Sequence, residues 1–273
     1  MQASSRWAPP GGTLGRIVAE AERRARTLET RAGELEAEAA RVPAGPSLET
    51  ALRASSGVAL LAEVKRRSPS KGAIAESLDA VQQARANESA GASGVSILTE
   101  PDHFGGSVDD LLAVRRALAI PALKKDFHVA PIQLLEARAL GASAALVIAR
   151  AVSPSRLEEL LALGRALHLE LLVEVRDEDE LERALAGGAT MVGVNNRNLE
   201  SLEIDPATCD RIVPLIPPGH VAIAESGVRA RADVERYAAV GADAVLVGSV
   251  LSASGDVTAA ARDLTGVARR PRG

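Results

Sequence analysis

Residues 60–72 of the chain read LLAEVKRRSPSKG, an apolar run that ends in charged residues and continues into a basic loop of serine, proline and glycine. The apolar residues predict a β-strand. Because alternate side chains of a strand point to the same face, Glu63 and Lys65 share one face. If that face is the inside of a closed barrel, a carboxylate and an ammonium lie above an apolar floor, beside an anion-binding loop. Such an arrangement is typical of an active site.

The same kind of apolar run recurs along the chain, separated each time by an amphipathic helical stretch. The predicted strands are residues 58–64, 94–98, 120–123, 144–149, 170–175, 191–194, 221–224 and 244–247. Their unbroken Val, Leu, Ile and Ala content is typical of parallel strands buried on both faces. Eight repeats of strand and helix predict an α/β fold, the (β/α)8 TIM barrel. An open doubly wound sheet is the alternative, but its glycine-rich dinucleotide fingerprint and the P-loop spacing are missing.

An extra N-terminal helix precedes this pattern. Residues 1–12 are polar and rich in Pro and Gly, and Thr13 is predicted to cap a helix that runs to about residue 42. We expect residues 1–45 to form an extension and residues 46–273 to form the barrel domain. A heptad seam runs along the helix through Leu14, Val18, Ala21, Ala25, Leu28, Ala32, Leu35 and Ala39. Because half of the seam is Ala, packing against the barrel is favoured over a self-associating coiled coil, which predicts a monomer or a weak homodimer.

Composition excludes several classes of function. The net charge is -4 without a long basic run, which argues against nucleic acid as a partner. No apolar segment is long enough to cross a bilayer or to act as a signal peptide, so we expect no membrane association. The single cysteine, Cys209, has no neighbours that suggest a nucleophile and cannot form an intramolecular disulfide, which indicates a reducing cytoplasm. The four histidines lack metal-ligand spacing and are interpreted as surface or supporting residues, so no metal is predicted.

Polar residues follow most of the predicted strands, at the end where barrel active sites form. They are Glu63, Lys65 and Ser68; Lys125; Glu174; Asn195 and Arg197; Glu225, Ser226 and Gly227; and Gly248 and Ser249. Glu174 interrupts an apolar strand, and because an isolated buried carboxylate costs several kcal/mol, a lysine partner is expected. Lysines and carboxylates that share a dry pocket can act as acids and bases near neutral pH. Glycines after the seventh and eighth strands predict a phosphorylated substrate.

Six segments at these strand ends together resemble the indole-3-glycerol-phosphate synthase family. They are AEVKRRSPSKG at 62–72, SILTE at 96–100 with FGGS at 104–107, KDF at 125–127, LVEV at 172–175, GVNNRNL at 193–199 and ESG at 225–227. The resemblance covers about residues 50–250. It implies ring closure of 1-(2-carboxyphenylamino)-1-deoxyribulose 5-phosphate with loss of carbon dioxide and water, a step of tryptophan biosynthesis that uses no cofactor.

The resemblance also implies roles for individual residues. Lys125 is the expected general acid, Glu174 the general base, and Lys65 the residue that holds the substrate carboxylate and assists dehydration. The expected supporting residues are Glu63, Asn195 and Glu225 for orientation, Arg197 near the carboxylate, Ser68, Ser226, Gly227, Gly248 and Ser249 for the phosphate, and Phe104 and Phe127 for the aromatic ring. The chain departs from the usual pattern of the family at four positions. It has Lys124 where the family often has Arg, Ala130 where Asp is frequent, Arg176 where His is common and Ser252 where Met is usual.

Two other functions are compatible with a phosphate-binding barrel. One is a neighbouring enzyme such as a phosphoribosylanthranilate isomerase or a tryptophan synthase α subunit, although an isomerase would be expected to use a Cys/Asp pair and Cys209 lies away from the strand ends. The other is a non-catalytic assembly partner that associates through residues 13–42. Buried charge at Lys125 and Glu174 argues against that function, because a scaffold has no use for it.

Overall fold

The computed structural model describes residues 7–272, in which eight parallel strands close into a barrel. The strands are β1 Ala59–Val64, β2 Gly94–Leu98, β3 Ala122–Lys125, β4 Ala144–Ile148, β5 Glu170–Val175, β6 Met191–Asn195, β7 Val221–Glu225 and β8 Ala244–Val247. Each strand pairs with the next along the chain, and β8 pairs with β1. The predicted (β/α)8 barrel is therefore confirmed, and the open doubly wound sheet is wrong because a closed sheet has no edge strand.

Three predicted strands have the observed bounds, and the other five differ by one or two residues at their ends. The sequence-based bounds stopped at the last apolar residue. The observed strands β3, β6 and β7 instead run on to include Lys125, Asn195 and Glu225. Strand pairing is made by backbone groups, so a polar side chain at the last position does not end the ladder. These three side chains are thereby held by the sheet itself and not by a loop.

The helices are, in chain order, α1 Gly12–Glu29, α2 Ala32–Arg41, α3 Leu48–Ala54, α4 Ala80–Ser89, α5 Pro101–Phe104, α6 Val108–Ala117, α7 Pro131–Ala139, α8 Pro154–Ala166, α9 Glu178–Ala186, α10 Ala207–Ile212, α11 Arg231–Ala239, α12 Ser249–Ser252 and α13 Val257–Asp263. The first three precede the barrel, and α5 and α12 are short helices that directly follow strand ends. A small hairpin of Arg67–Ser68 and Gly72–Ala73 follows β1. Within residues 7–272, no helix is long and apolar enough to span a bilayer.

The N-terminal extension differs from its prediction in its helix and in its cap. The single predicted helix is in fact two, α1 and α2, whereas the part of the extension before Trp7 lies outside the described residues. The break falls at Thr30, whose hydroxyl donates to the carbonyl of Thr27 at 2.7 Å. Thr13 is not the cap, because the helix begins at Gly12, and the Thr13 N–H donates to the carbonyl of Glu200 at 3.1 Å.

The extension lies against the barrel. Ala25 of α1 and Leu35 of α2, both on the predicted seam, pack with Ile132 of α7 in a small buried cluster. Helix α3 closes the amino end of the barrel with Leu48 and Leu52, which are fully buried. Seam residues of both α1 and α2 are therefore buried within the chain.

Neighbouring lysines on β3 point to opposite faces of the sheet, as residues i and i+1 of a strand must. Lys125 faces the barrel interior, whereas Lys124 lies 1% exposed beneath α7. The ammonium of Lys124 is 3.2 Å from a carboxylate oxygen of Asp126 and 3.1 Å from one of Glu136 on α7. Arg24 of α1 also contacts Asp126, at 3.2 Å. This buried cluster joins α1 and α7 to the strand that carries Lys125.

His128 completes the cluster and is not at the surface, contrary to one of the two interpretations of the histidines. Its Nδ1 lies 2.6 Å from the carbonyl of Leu146, so Nδ1 carries the hydrogen and Nε2 accepts from Lys124 Nζ at 3.4 Å. Burial and the Lys124 charge lower the pKa of His128 to about 3, so the ring is neutral at physiological pH.

We expect this neutral histidine to make the protein sensitive to acid. The unfolded chain protonates His128 near the ordinary pKa of about 6.5, whereas the folded chain resists protonation down to about 3. The stability contributed by the neutral ring is therefore present above about pH 6.5 and is lost as the pH falls towards 3. For one group, the free energy of unfolding falls by up to about 1.4 kcal/mol per pH unit.

Urea denaturation at several pH values between about 6.5 and 5 measures this slope. His128→Gln should reduce the slope by about one proton equivalent, whereas His168→Gln, at an exposed position, should leave it unchanged. An identical slope in parent and His128→Gln would show that the ring is not the group responsible.

Candidate active site

All the predicted site residues line one cavity at the carboxyl ends of the strands. The cavity wall includes Glu63, Lys65, Ser68, Phe104, Lys125, Phe127, Glu174, Asn195, Arg197, Glu225, Ser226, Gly227, Gly248 and Ser249. They come from β1, β3, β5, β6, β7 and the segments that follow these strands and β2 and β8. Parallel strands in register bring together side chains that are far apart in the sequence.

Lys125 lies between two buried carboxylates. Its ammonium is 3.5 Å from Glu174 Oε2 and 3.8 Å from Glu225 Oε2, so Glu174 has the lysine partner that its burial required. Burial alone would lower the pKa of Lys125. The charges of Glu174, Glu225 and Glu63 outweigh that effect and raise the pKa above its ordinary value. The lysine is therefore a stable ammonium, able to donate a proton or a hydrogen bond.

The two carboxylates keep free acceptor atoms. Asn195 Nδ2 donates to Glu174 Oε1 at 2.8 Å, and the Arg197 N–H in turn fixes Asn195 through its Oδ1, also at 2.8 Å. Glu174 Oε2 and Glu225 Oε1 are buried and accept no hydrogen bond from the described residues. Burial and the nearby Glu174 charge raise the pKa of Glu225 well above its ordinary value. Unsatisfied buried acceptors in a cavity are well suited to bind hydroxyl or N–H groups of a ligand.

A second ion pair lies at the end of β1. Lys65 Nζ is 2.7 Å from Glu63 Oε1, and Glu63 is 3% exposed. The loop that follows is held by Arg66, which forms an ion pair with Asp110 of α6 and donates to the carbonyl of Leu78 at 3.0 Å. In the basic segment after β1, Arg66 therefore stabilises the loop, while Lys65 faces the cavity.

Two glycines make room for the buried carboxylates, and the sequence did not single them out for this purpose. A Cβ on Gly193 of β6 would lie 2.0 Å from Glu225 Oε1, and a Cβ on Gly248 would lie 2.4 Å from Glu63 Oε1. Any side chain at either position would displace a carboxylate. Gly248 was predicted to bind phosphate, and Gly193 had no predicted role although it lies within the GVNNRNL segment.

The turn after β7 has an unusual backbone. Ser226 has φ 63° and Gly227 has φ 89°, and a left-handed conformation costs a non-glycine residue about 1–2 kcal/mol. Asn196 holds the turn: its Nδ2 lies 2.9 Å from the Ser226 carbonyl and 2.9 Å from the hydroxyl of Tyr237 on α11. Asn196 and Tyr237 are supporting residues that sequence reasoning missed, because only the fold brings α11 against β6.

The wall of the cavity also includes aromatic residues and the N-terminal extension. The rings of Phe104 and Phe127 have centroids 6.0 Å apart and are tilted by 37°, within the range of favourable aromatic pairs. Thr13 and Ile17 of α1 line the cavity, which sequence reasoning did not foresee. Just before α1, Trp7 Nε1 donates to the carbonyl of Arg150, beyond β4, at 3.4 Å.

Other reactive groups lie away from this cavity wall. Cys209 is fully buried, its thiol donates to the Val194 carbonyl, and burial raises its pKa to about 12, so it is no nucleophile. Within residues 7–272, one group of potential metal ligands is close together, namely Glu20, Glu100 and His103. Its atoms already have protein partners, since His103 Nε2 is 2.6 Å from Glu20 and Glu100 accepts the N–H groups of His103 and Phe104 in α5.

Comparison with known proteins agrees with this geometry. A family model described as "Indole-3-glycerol phosphate synthase" matches residues 14–264. The indole-3-glycerol phosphate synthase of Mycolicibacterium vanbaalenii is 49% identical over 238 residues, 87% of this chain and 87% of the relative. That of a Parafrankia strain is 47% identical over 246 residues, 90% and 91% of the two chains. A solved 3-hexulose-6-phosphate synthase aligns with TM-score 0.59 and 17% identity, covering 76% of this chain and 98% of that chain, which shows a shared fold alone.

Proposed function

The chain belongs to the indole-3-glycerol phosphate synthase family, and from this premise we propose how its residues divide the reaction among them. The enzyme is a carboxy-lyase of tryptophan biosynthesis. It closes the ring of 1-(2-carboxyphenylamino)-1-deoxyribulose 5-phosphate and releases carbon dioxide and water. A pathway neighbour and a non-catalytic assembly partner, the two other functions considered, do not agree with this membership.

Lys125 is the general acid of ring closure. The ring carbon that bears the carboxylate attacks the ketone carbon, and the ketone oxygen gains negative charge as the carbon–carbon bond forms. An ammonium has three N–H groups, and the two carboxylates hold its charge at 3.5 and 3.8 Å, so an N–H remains to donate to that oxygen. The position of Lys125 between Glu174 and Glu225 is the observation that carries this proposal.

Lys65 and Glu174 act in the next two steps. Lys65, steadied by Glu63, holds the substrate carboxylate with Arg197 nearby until carbon dioxide leaves and its bonding electrons restore the aromatic ring. The new hydroxyl then leaves as water with a proton from Lys65. Glu174 Oε2 takes the proton from the carbon beside the ring nitrogen, which completes the double bond.

The remaining residues position the substrate. Glu63, Asn195 and Glu225 orient the substrate hydroxyls and the two lysines, and the free oxygen of Glu225 is one acceptor for them. The phosphate is held by Ser68, Ser226, Gly227, Gly248 and Ser249, which line the cavity beyond β1, β7 and β8. The tilted pair Phe104 and Phe127 packs on the aromatic ring of the substrate.

Lys125→Ala tests the assignment of the acid. We expect it to lower kcat by at least about 10³-fold, because both the proton donor and its charge are lost. The measurement is the rise of indole fluorescence on addition of the substrate, with a thermal melt to show that the variant is folded. A folded Lys125→Ala enzyme with kcat within tenfold of the parent would remove Lys125 from this role.

Gly193→Ala tests whether the position of the Glu225 carboxylate matters for catalysis. The added methyl group would displace the Glu225 carboxylate, and a misplacement of about 1 Å can cost about 10²-fold in kcat. Gly33→Ala is the matched control, because Gly33 lies on α2 with no atoms within 4 Å of the added Cβ. Equal kcat for Gly193→Ala and Gly33→Ala would contradict the role of Glu225.

We also propose that the enzyme is a cytoplasmic monomer. A phosphorylated substrate does not diffuse across membranes, which supports the location. Packing of Ala25 and Leu35 against α7 supports the monomer, and Leu215 is the one large hydrophobic residue exposed within residues 7–272. Sedimentation velocity at micromolar concentration should give a single species of about 28.3 kDa, and a concentration-dependent shift towards twice that mass would contradict it.

A further inference from the structure

Lys65 lies just beyond the end of its strand. The last residue of β1 is Val64, so the sheet ladder does not hold the backbone of Lys65. Its N–H instead donates to the hydroxyl of Ser252 at 3.2 Å. The side chain of Lys65 is held separately, at its Nζ, by Glu63.

Ser252 is the last residue of α12, the short helix that begins at Ser249. It is 7% exposed, and its hydroxyl accepts a second hydrogen bond, at 3.0 Å, from Nε2 of the buried Gln83 on α4. A hydroxyl oxygen has two acceptor lone pairs, and these two donors occupy both. The link therefore depends on a hydroxyl oxygen at position 252.

The same helix starts at the predicted phosphate site. Gly248 and Ser249 line the cavity, and the Ser252 N–H bonds back to the Gly248 carbonyl at 2.9 Å, so the helix is a single turn from end to end. Gly248 also lies directly against Glu63, the partner of the Lys65 ammonium. Both attachments of Lys65, at its backbone and at its Nζ, therefore lead to this one turn.

We propose that Ser252 is a positioning residue that couples the phosphate end of the site to Lys65. A substrate phosphate seated on Gly248 and Ser249 fixes α12, and Ser252 at the other end of α12 then fixes the backbone of Lys65 for decarboxylation and dehydration. The inference rests on the role proposed above for Lys65. It adds a residue outside the cavity wall to the machinery of the reaction.

Ser252→Ala removes the acceptor, and Ser252→Thr restores a hydroxyl. We expect Ser252→Ala to lower kcat by about tenfold, by analogy with other small displacements of a catalytic group, and Ser252→Thr to recover most of the loss. Inhibition by inorganic phosphate should change by less than about twofold, because the groups that hold the phosphate remain. Ser254→Ala is the control, since that hydroxyl bonds only to the backbone of Asp256.

A double-mutant cycle with Lys65→Ala separates positioning from general damage. In the Lys65→Ala background, Ser252→Ala should lower kcat by less than about twofold, because no ammonium is left to position. An equal loss in both backgrounds, or parent-like kcat in Ser252→Ala alone, would overturn the proposal. Parent activity in Lys65→Ala by itself would contradict the proposed role of Lys65. That outcome can be told apart from one that contradicts only the positioning role of Ser252.

Discussion

Three buried glutamates lie beside Lys65 and Lys125 in one cavity, and the active site depends on how these charges are balanced. Glu63, Glu174 and Glu225 are each at most 3% exposed, and removing any unpaired charge from water costs several kcal/mol. Lys65 and Lys125 compensate two of the three negative charges. The third, Glu225, shares Lys125 with Glu174, and burial and the Glu174 charge raise its pKa.

Much of this arrangement could be predicted from the sequence. The strands were predictable because parallel strands buried on both faces leave apolar runs. The polar site residues were predictable because they lie near the carboxyl end of such a run or soon after it. The observed ends of β6 and β7 could not be predicted, because Asn195 and Glu225 look like loop residues to any criterion based on hydrophobicity. The break at Thr30 was also missed, because the helical pattern of apolar residues continues on both sides of it.

What could not be predicted is contact between residues distant in sequence. The sequence does not show that the Glu225 carboxylate of the next strand fills the space beside Gly193. Nor does it show that Asn196 holds Ser226 in a left-handed conformation. Lys124 is the clearest case. It stands beside Lys125 with the same chemistry, yet the strand turns it outward to join Arg24 of α1 through Asp126. Of two adjacent lysines, one therefore faces the cavity and the other attaches the extension.

Trp7 is an intrinsic fluorescent probe of the N-terminal extension. It is the single tryptophan of the chain, and its ring nitrogen is tied to the segment after β4, just before α1 supplies Thr13 and Ile17 to the cavity. Emission from this one residue therefore reports on the contact between the extension and the segment after β4. A fluorescence signal that changes before the circular dichroism of the helices would be a departure of the extension from the cavity, with the eight strands still closed.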